Sequence, residues 1–453
     1  MGALAELEQY MVHLSEALGH ADRQAGLRGY CAGLMAPIQR KSVEPMAAAV
    51  DPERVRSRHQ SLHHFVADSD WSDEALGLRV AQWVVPRMDF SDAGWWIIDD
   101  TGFPKAGRHS VGVARQYCGM LGKQDNCQVA VSVSLACEQA SLPVAWRLYL
   151  PHEWAEDRER RKKAGVPEEI EFATKPAIAI AQIEHLLDKG APHHTVLADA
   201  GYGVDTAFRE RLSELGLRYV VGVTGVVTVW PPGREPLPAL PHAGRGRVGK
   251  HLRIGKTSDE AHRPQSVKEL ALSLSPLAWY RVTWREGTNQ PLRSRFARIR
   301  VRVAHRDHLR DELRPAEWLL VEWPEHEKEP TKYWLSTLPE QISLERMVYE
   351  AKMRWRIERD YQDLKQDLGL GHYEGRGWRG FHHHASLSIA AYGYLLSQRL
   401  THRPEAGAKK KPAQHEEPAV PTHYIPRGAP AGAAPRPLVH NEFTAVYRRA
   451  LAS

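Results

Sequence analysis

A chain of 453 residues that is 42% hydrophobic and 26% charged has the apolar material for a real core and the length for two to four domains, which excludes a fibrous or wholly disordered polymer. Its formal charge of +6 leans toward a polyanionic partner without being extreme enough to name one. The four cysteines, Cys31, Cys118, Cys127 and Cys137, have neither C-x-x-C nor metal-ligand spacing, so they read as reduced thiols of a cytosolic protein and not as a disulfide or zinc framework.

The chain starts without a basic leader, and a soluble, cytoplasmic product is expected. Leu4, Leu7, Met11, Leu14 and Leu18 recur at helical spacing, and Leu27 to Leu34 repeats the pattern. Residues 1–90 therefore read as a helical domain. Asp51-Pro52-Glu53 has the form of an N-cap followed by proline at the first helical position. The helix it would open carries Arg54, Arg56, Arg58, His59, His63 and His64, which suits a solvated face or a DNA-binding module laid along phosphates.

From residue 91 the pattern changes. Gly94-Trp-Trp-Ile-Ile runs into Asp99 and Asp100, then into the turn-like Thr-Gly-Phe-Pro and Lys105. This is how a buried strand looks when it delivers a carboxylate to a sheet edge. An ionised carboxylate beside apolar residues is costly unless a cation or donors compensate it. The β-rich runs Cys127–Ala136 and Leu142–Leu150 complete a three-strand meander. Charged residues 152–171 form an exposed excursion, and a periodic helix begins at Lys175. Thr195-Val-Leu-Ala-Asp199-Ala-Gly-Tyr-Gly203 then repeats the theme of a strand ending in Asp.

Between 217 and 340, Arg218–Val223, Trp279–Trp284, Arg295–Val303 and Glu317–Trp323 are strand patterns separated by turn signals. Arg293, Arg295, Arg298, Arg300 and Arg302 fall largely on alternate positions, so one cationic strand face is expected, with Arg298 and Arg300 on DNA. An edge strand guarded against aggregation would carry the same charges. Trp284 and Trp318 are expected to be packed in preference to stacking on a base.

Arg354-Trp-Arg-Ile-Glu358-Arg-Asp-Tyr361-Gln-Asp-Leu364-Lys365 is helical. At about 100° per residue, Arg354, Glu358, Tyr361 and Lys365 share one face. Alone, such a face fits surface Arg–Glu pairs as well as a site. Joined to two strands that end in Asp, it makes three carboxylates. Two of these ~4 Å apart repel by roughly 4 kcal/mol at a dielectric of 20, which divalent metal binding offsets. Oxygen-only ligands suit Mg²⁺ or Mn²⁺ better than zinc. His382, His383 and His384 cannot converge on one ion, because successive helical residues diverge by about 100°. They read as structural or phosphate-facing. Leu387–Leu396, in the helix that follows, is far short of the ~20 residues of a membrane span. Residues 401–453 are rich in Pro and Ala and are expected to be largely disordered, with a short helix over 442–451.

Ile98-Asp99-Asp100-Thr101-Gly102-Phe-Pro-Lys105, Ala198-Asp199-Ala-Gly-Tyr-Gly203 and Arg354-x3-Glu358-x6-Lys365 resemble, in order, the three signatures of DDE transposases with a Tyr-Arg-Glu-Lys motif. Gln116-Tyr-Cys-Gly119 and Gly375-Arg376-Gly-Trp-Arg-Gly-Phe-His-His-His384 narrow the similarity to the insertion-sequence-701 family, over about residues 28–400. The resemblance implies a mixed α/β protein whose RNase H-like catalytic core (91–216 and 341–400) is interrupted by a β-rich insertion domain (217–340). An N-terminal helical, DNA-binding domain (1–90) and a disordered tail (401–453) flank it. Asp99, Asp199 and Glu358 are then catalytic and hold two Mg²⁺ ions, which Mn²⁺ can replace. Arg354 and Lys365 hold phosphate, with Lys105, Arg298, Arg300 and Arg376 as further DNA-binding residues. Asp99 and not Asp100 fits the family register, and Ala351 stands where the motif has Tyr. The implied activity is cleavage at insertion-sequence ends and joining of the 3′-OH ends to target DNA, by a homodimer on double-stranded DNA in the bacterial nucleoid. A domesticated DNA-binding regulator, or a structure-specific nuclease that does not join, are the alternatives.

Overall fold

The computed structural model describes residues 2–239, 251–285 and 291–402. The expected tail, with its short helix, lies outside the described residues beyond His402. Five helices open the chain: α1 (Ala3–Ser15), α2 (Gln24–Met35), α3 (Val43–Val50), α4 (Val55–Ala67) and α5 (Asp73–Val84). The periodic leucines Leu14, Leu18, Leu27 and Leu34 are fully buried, together with Tyr10 and Tyr30. Asp51 does not open α4 as expected; it ends α3, and α4 starts only at Val55. The Asp51 carboxylate pairs with Arg54 at 3.2 Å and Arg58 at 3.9 Å, and Pro52 lies in the connecting turn. Arg56, His63 and His64 are exposed on α4.

The helix Trp378–Thr401 packs against α2, α4 and α5 and fastens them to the rest of the chain. Its three consecutive histidines reach three different elements. His382 Nε2 accepts from Leu148 N at 3.2 Å, and His383 stacks on Trp71 with ring centroids 3.6 Å apart. His384 Nδ1 accepts from the Tyr30 hydroxyl at 2.9 Å while Nε2 donates to the Gly369 carbonyl at 3.0 Å. Burial lowers His384 to about 4, so it is structural and neutral, and His383 is held between the Val66 and Trp71 carbonyls at 3.0 and 2.8 Å. All four cysteines are buried free thiols, and no helix of the described residues is long and apolar enough to cross a membrane.

Twelve strands among the described residues form one mixed sheet: β1 (Trp95–Pro104), β2 (Ala114–Cys118), β3 (Lys123–Ala136), β4 (Ser141–Leu148), β5 (Thr195–Ala198), β6 (Tyr219–Val223), β7 (Thr228–Trp230), β8 (Gln265–Ser266), β9 (Tyr280–Arg285), β10 (Leu292–Val303), β11 (Glu317–Trp323) and β12 (Lys332–Ser336). The order is β2-β3-β1-β5-β6-β12-β11-β10-β7-β8, with β4 on β3 and β9 on β10. β1, β3 and β4 make the expected antiparallel meander, and β5 and β6 run parallel to β1. The strands of 217–340 do not close into a sheet of their own. β6 pairs with β5, and β12, β11 and β10 continue from its other edge.

Two local expectations change. β1 does not stop at its acids: Asp99 to Pro104 stay paired with Ser132 to Cys127 of β3, so the Thr-Gly-Phe-Pro stretch is strand and not turn. Its parallel neighbour β5, however, ends at Ala198, so the sheet opens on one side of Asp99. Along β10, pairing with β11 is unbroken from Arg295 to Val301. Side chains alternate faces, so Arg293 and Arg295 lie opposite Arg298, Arg300 and Arg302. A single cationic face is therefore not formed.

Candidate active site

Alternation along β1 sorts its side chains between two cores. Trp95 and Ile97 cluster with Leu197, Met347 and Ile357, toward the helices Leu344–Lys352 and Trp355–Gln366. Trp96 and Ile98 cluster with Ile178 and Ile183 of the helix Lys175–Asp188 on the other face. Continuing the alternation sends Asp99 to the first side and Asp100 to the second. The contacts agree. Asp99 Oδ2 accepts from the Arg354 guanidinium at 2.8 Å, and Asp100 Oδ2 accepts from Lys175 Nζ at 2.9 Å.

Ile97 and Leu197 are paired in register between β1 and β5. Asp199 is the first residue beyond β5, near enough for its charge to act on the Asp99 carboxyl. Asp199 caps the short helix Ala200–Gly203, its Oδ1 accepting from Gly201 N at 2.8 Å. This turn presses on β6 so closely that a Cβ on Gly203 would stand 2.0 Å from the Gly222 carbonyl oxygen. Glycine is required there by close backbone approach.

The third acid comes from the helix Trp355–Gln366, which buries Ile357, Asp360, Tyr361 and Leu364. The Tyr361 hydroxyl meets Ser132 Oγ at 2.8 Å, and Asp360 accepts from Ser141 at 2.6 Å and from Tyr392 at 3.0 Å. So anchored, the helix turns Glu358 outward. Arg354, just before its first turn, gives one nitrogen to Asp99 and the other to Glu358 Oε1, each at 2.8 Å. Burial draws this guanidinium down from its ordinary value, and Asp99, Glu358 and Asp199 more than offset the effect. Burial likewise lifts the Asp99 carboxyl to about 7; Arg354 opposes that rise, while Asp199 and Asp100 reinforce it. One cation thus feels all three acids.

Among the described residues no three His, Cys, Asp or Glu side chains stand together as a ready metal cage, and Arg354 is bonded to both Asp99 and Glu358. The donor chemistry still suits a hard divalent cation. The set is all oxygen, and a carboxyl made hard to ionise by burial and by neighbouring acids is one that a cation relieves.

The remaining expected residues divide. Lys365 Nζ donates to the Gly102 carbonyl at 2.8 Å and lies 4.9 Å from the Phe103 ring centre; burial lowers it to about 8. Lys105 Nζ donates to the Tyr373 carbonyl at 2.7 Å, and burial lowers this amine too. Lys105 and Arg376, far apart along the chain, line one cleft of about 660 Å³ with Arg40, His109 and His372. Arg298 donates to the Ile342 carbonyl and Arg300 to that of Ala316, and both lie over the Trp318 ring, at 4.7 and 5.1 Å. Trp284 is also packed, edge-on to Phe296 and under Lys352. Ala351 is buried among apolar neighbours.

Asp360 and Lys175 escape a reading of spacing. Asp360 lies two residues beyond Glu358, hence about 200° round the helix, and a carboxylate on the packing side is the signal that finds it. Nothing local pairs Lys175 with Asp100.

The model of the DDE superfamily endonuclease family matches residues 13–291, which include Asp99 and Asp199 and stop short of Arg354, Glu358 and Lys365. A probable transposase for insertion sequence element IS701 from Microchaete diplosiphon is 33% identical over 192 residues, 42% of this chain and 46% of that protein. The chain thus spans about half the length of the curated relative it matches. Among solved structures, the piggyBac transposase synaptic complex with hairpin DNA is similar at a TM-score of 0.36 and 11% identity, covering 79% of this chain and 54% of that one. That likeness is too slight to bear on the fold or the chemistry.

Proposed function

The chain belongs to the DDE superfamily of endonucleases, and from that premise we propose that it is an insertion-sequence transposase, which cuts DNA at the ends of its element and joins the freed 3′-OH ends to target DNA. The observation that carries this reading is the Arg354 guanidinium, bonded to Asp99 and Glu358 and sensitive to Asp199. The strands β4-β3-β1-β5-β6, three antiparallel and then two parallel, support an RNase H-like core to whose edge the strands of the insertion are added.

In this reading Asp99 and Asp199 hold Mg²⁺, with Mn²⁺ as a substitute, and Glu358 completes the set for two ions. Bound there, such ions lower the pKa of an attacking water and neutralise charge developing on the phosphate. The chain's own residues orient and hold. Arg354 fixes the Asp99 and Glu358 side chains and presents a planar fork suited to phosphate oxygens. Lys365, fastened to Gly102, sets a positive charge beneath β1. Lys105 and Arg376 track the DNA backbone in their shared cleft. Arg298 and Arg300, held by carbonyls and Trp318, are left to the scaffold. Double-stranded ends and target are the partners, engaged by a homodimer.

Linear DNA bearing the element's terminal repeats tests the proposal. With Mg²⁺ the protein should cleave and then join; with Ca²⁺ it should bind alone. Binding without cleavage in Mg²⁺ would instead identify a regulator, and cleavage without joining a nuclease.

A further inference from the structure

At the edge of the sheet, α5, β4 and the helices Lys175–Asp188 and Trp378–Thr401 line a half-open cavity of about 390 Å³, whose wall includes Asp73 and Glu74 but none of Asp99, Asp199 and Glu358. That volume lies within the range of small-molecule sites, ~300–1,000 Å³. Its walls include Leu78, Val144, Leu186, Trp378 and Ile389. Three side-chain atoms of its wall residues are buried without a hydrogen-bond partner: Arg147 Nε, Trp146 Nε1 and Gln182 Oε1. A native interior meets nearly all such atoms, and one left unmet costs stability.

Strand register places two of these residues together. Val131 of β3 pairs with Asp100 on one side and Arg147 on the other, so these three share a face. Asp100 has Lys175, whereas no acid offsets the burial of Arg147, whose guanidinium is pulled below its ordinary value. Gln182, only 9% exposed, donates Nε2 to the Val131 carbonyl at 3.3 Å. The bond brings its amide over the strand beside Arg147 and leaves Oε1 unmet.

We propose that this cavity binds a small amphipathic acid: a flat apolar body between the walls, a carboxylate accepting from Arg147, and an N–H or O–H group donating to Gln182 Oε1. That donor and that acceptor define the class, and neither residue takes part in the DNA chemistry proposed above.

Titration calorimetry of the full chain with 6-hydroxy-2-naphthoate tests this, because the probe has the apolar plate, the carboxylate and the hydroxyl. One saturable site per chain is expected. Arg147→Met should weaken binding about tenfold or more, as loss of a charged hydrogen bond does. 2-Naphthol, which lacks the carboxylate, should show a similar loss on the unaltered chain. Gly77 lines the cavity, and a Cβ there meets no atom within 4 Å, so Gly77→Phe fills the space without backbone strain and should abolish binding. Absence of binding to the unaltered chain would overturn the proposal, the buried atoms then being met by water alone. Binding undiminished in both variants would overturn it equally.

Discussion

Acid should loosen the attachment of the N-terminal helices, and His384 shows by how much. Its ring is 2% exposed, accepts from Tyr30 and donates to Gly369, so both nitrogens are satisfied only in the neutral form. Burial holds it at about 4, against an ordinary 6.5. A histidine with a depressed folded pKa binds protons less readily folded than unfolded. Its contribution is complete above 6.5 and is lost as pH falls toward 4. Between pH 7 and pH 5 the loss comes to about 2 kcal/mol. That is a substantial part of a typical stability of ~5–15 kcal/mol. Denaturant unfolding followed by tryptophan fluorescence at pH 7, 6 and 5 gives the slope directly. His384→Gln, which does not titrate, should lose about 2 kcal/mol less than the parent over that interval. Coincident slopes would refute a buried, neutral His384.

The other expectations concern the site and its DNA. A double-mutant cycle on unfolding should give Arg354 a coupling of about 1.5–3 kcal/mol with half-buried Asp99 but less than about 1 kcal/mol with Glu358, which is 61% exposed; equal couplings would contradict the geometry. Gly203→Ala would gain up to ~1 kcal/mol by helix propensity, yet the approach to the Gly222 carbonyl should turn this into a net loss of about 1–3 kcal/mol, so a raised melting temperature would be the contrary result. DNA-end affinity should fall by about 10³–10⁵ between 50 and 200 mM salt if six to ten phosphates are engaged, and Arg376→Gln should reduce the logarithmic slope by about one. A flat salt response would remove the phosphate track.

What could be read from the residues depended on how local the cause was. The buried leucines of α1 and α2 follow from a 3.6-residue period, and the divergence of His382, His383 and His384 follows from 100° per residue. Asp99 and Asp199 stand out because a short apolar run meets a carboxylate. Where β1 ends was not legible, since Asp100 to Pro104 are kept extended by Cys127 to Val131, more than twenty residues away. The strand patterns between 217 and 340 were legible, but their continuation from β6 depends on which edge is free, a property of the assembled sheet. The two faces of β10 were written in the numbering, because Arg295 and Arg298 are an odd number of residues apart. Arg354 and Glu358 one turn apart were visible as a pair. That the same guanidinium also meets Asp99, and that Lys105 shares a cleft with Arg376, appears only on folding.

The most direct measurement is cleavage of terminal-repeat DNA in Mg²⁺ by Asp99→Asn, Asp199→Asn and Glu358→Gln, with end binding followed in Ca²⁺. Each change keeps the size of the side chain and removes one negative charge from the group around Arg354. Loss of cleavage in all three, with end binding close to that of the parent chain, is the predicted result. Cleavage retained by any of them, Glu358→Gln above all, would contradict a single site built from these three acids.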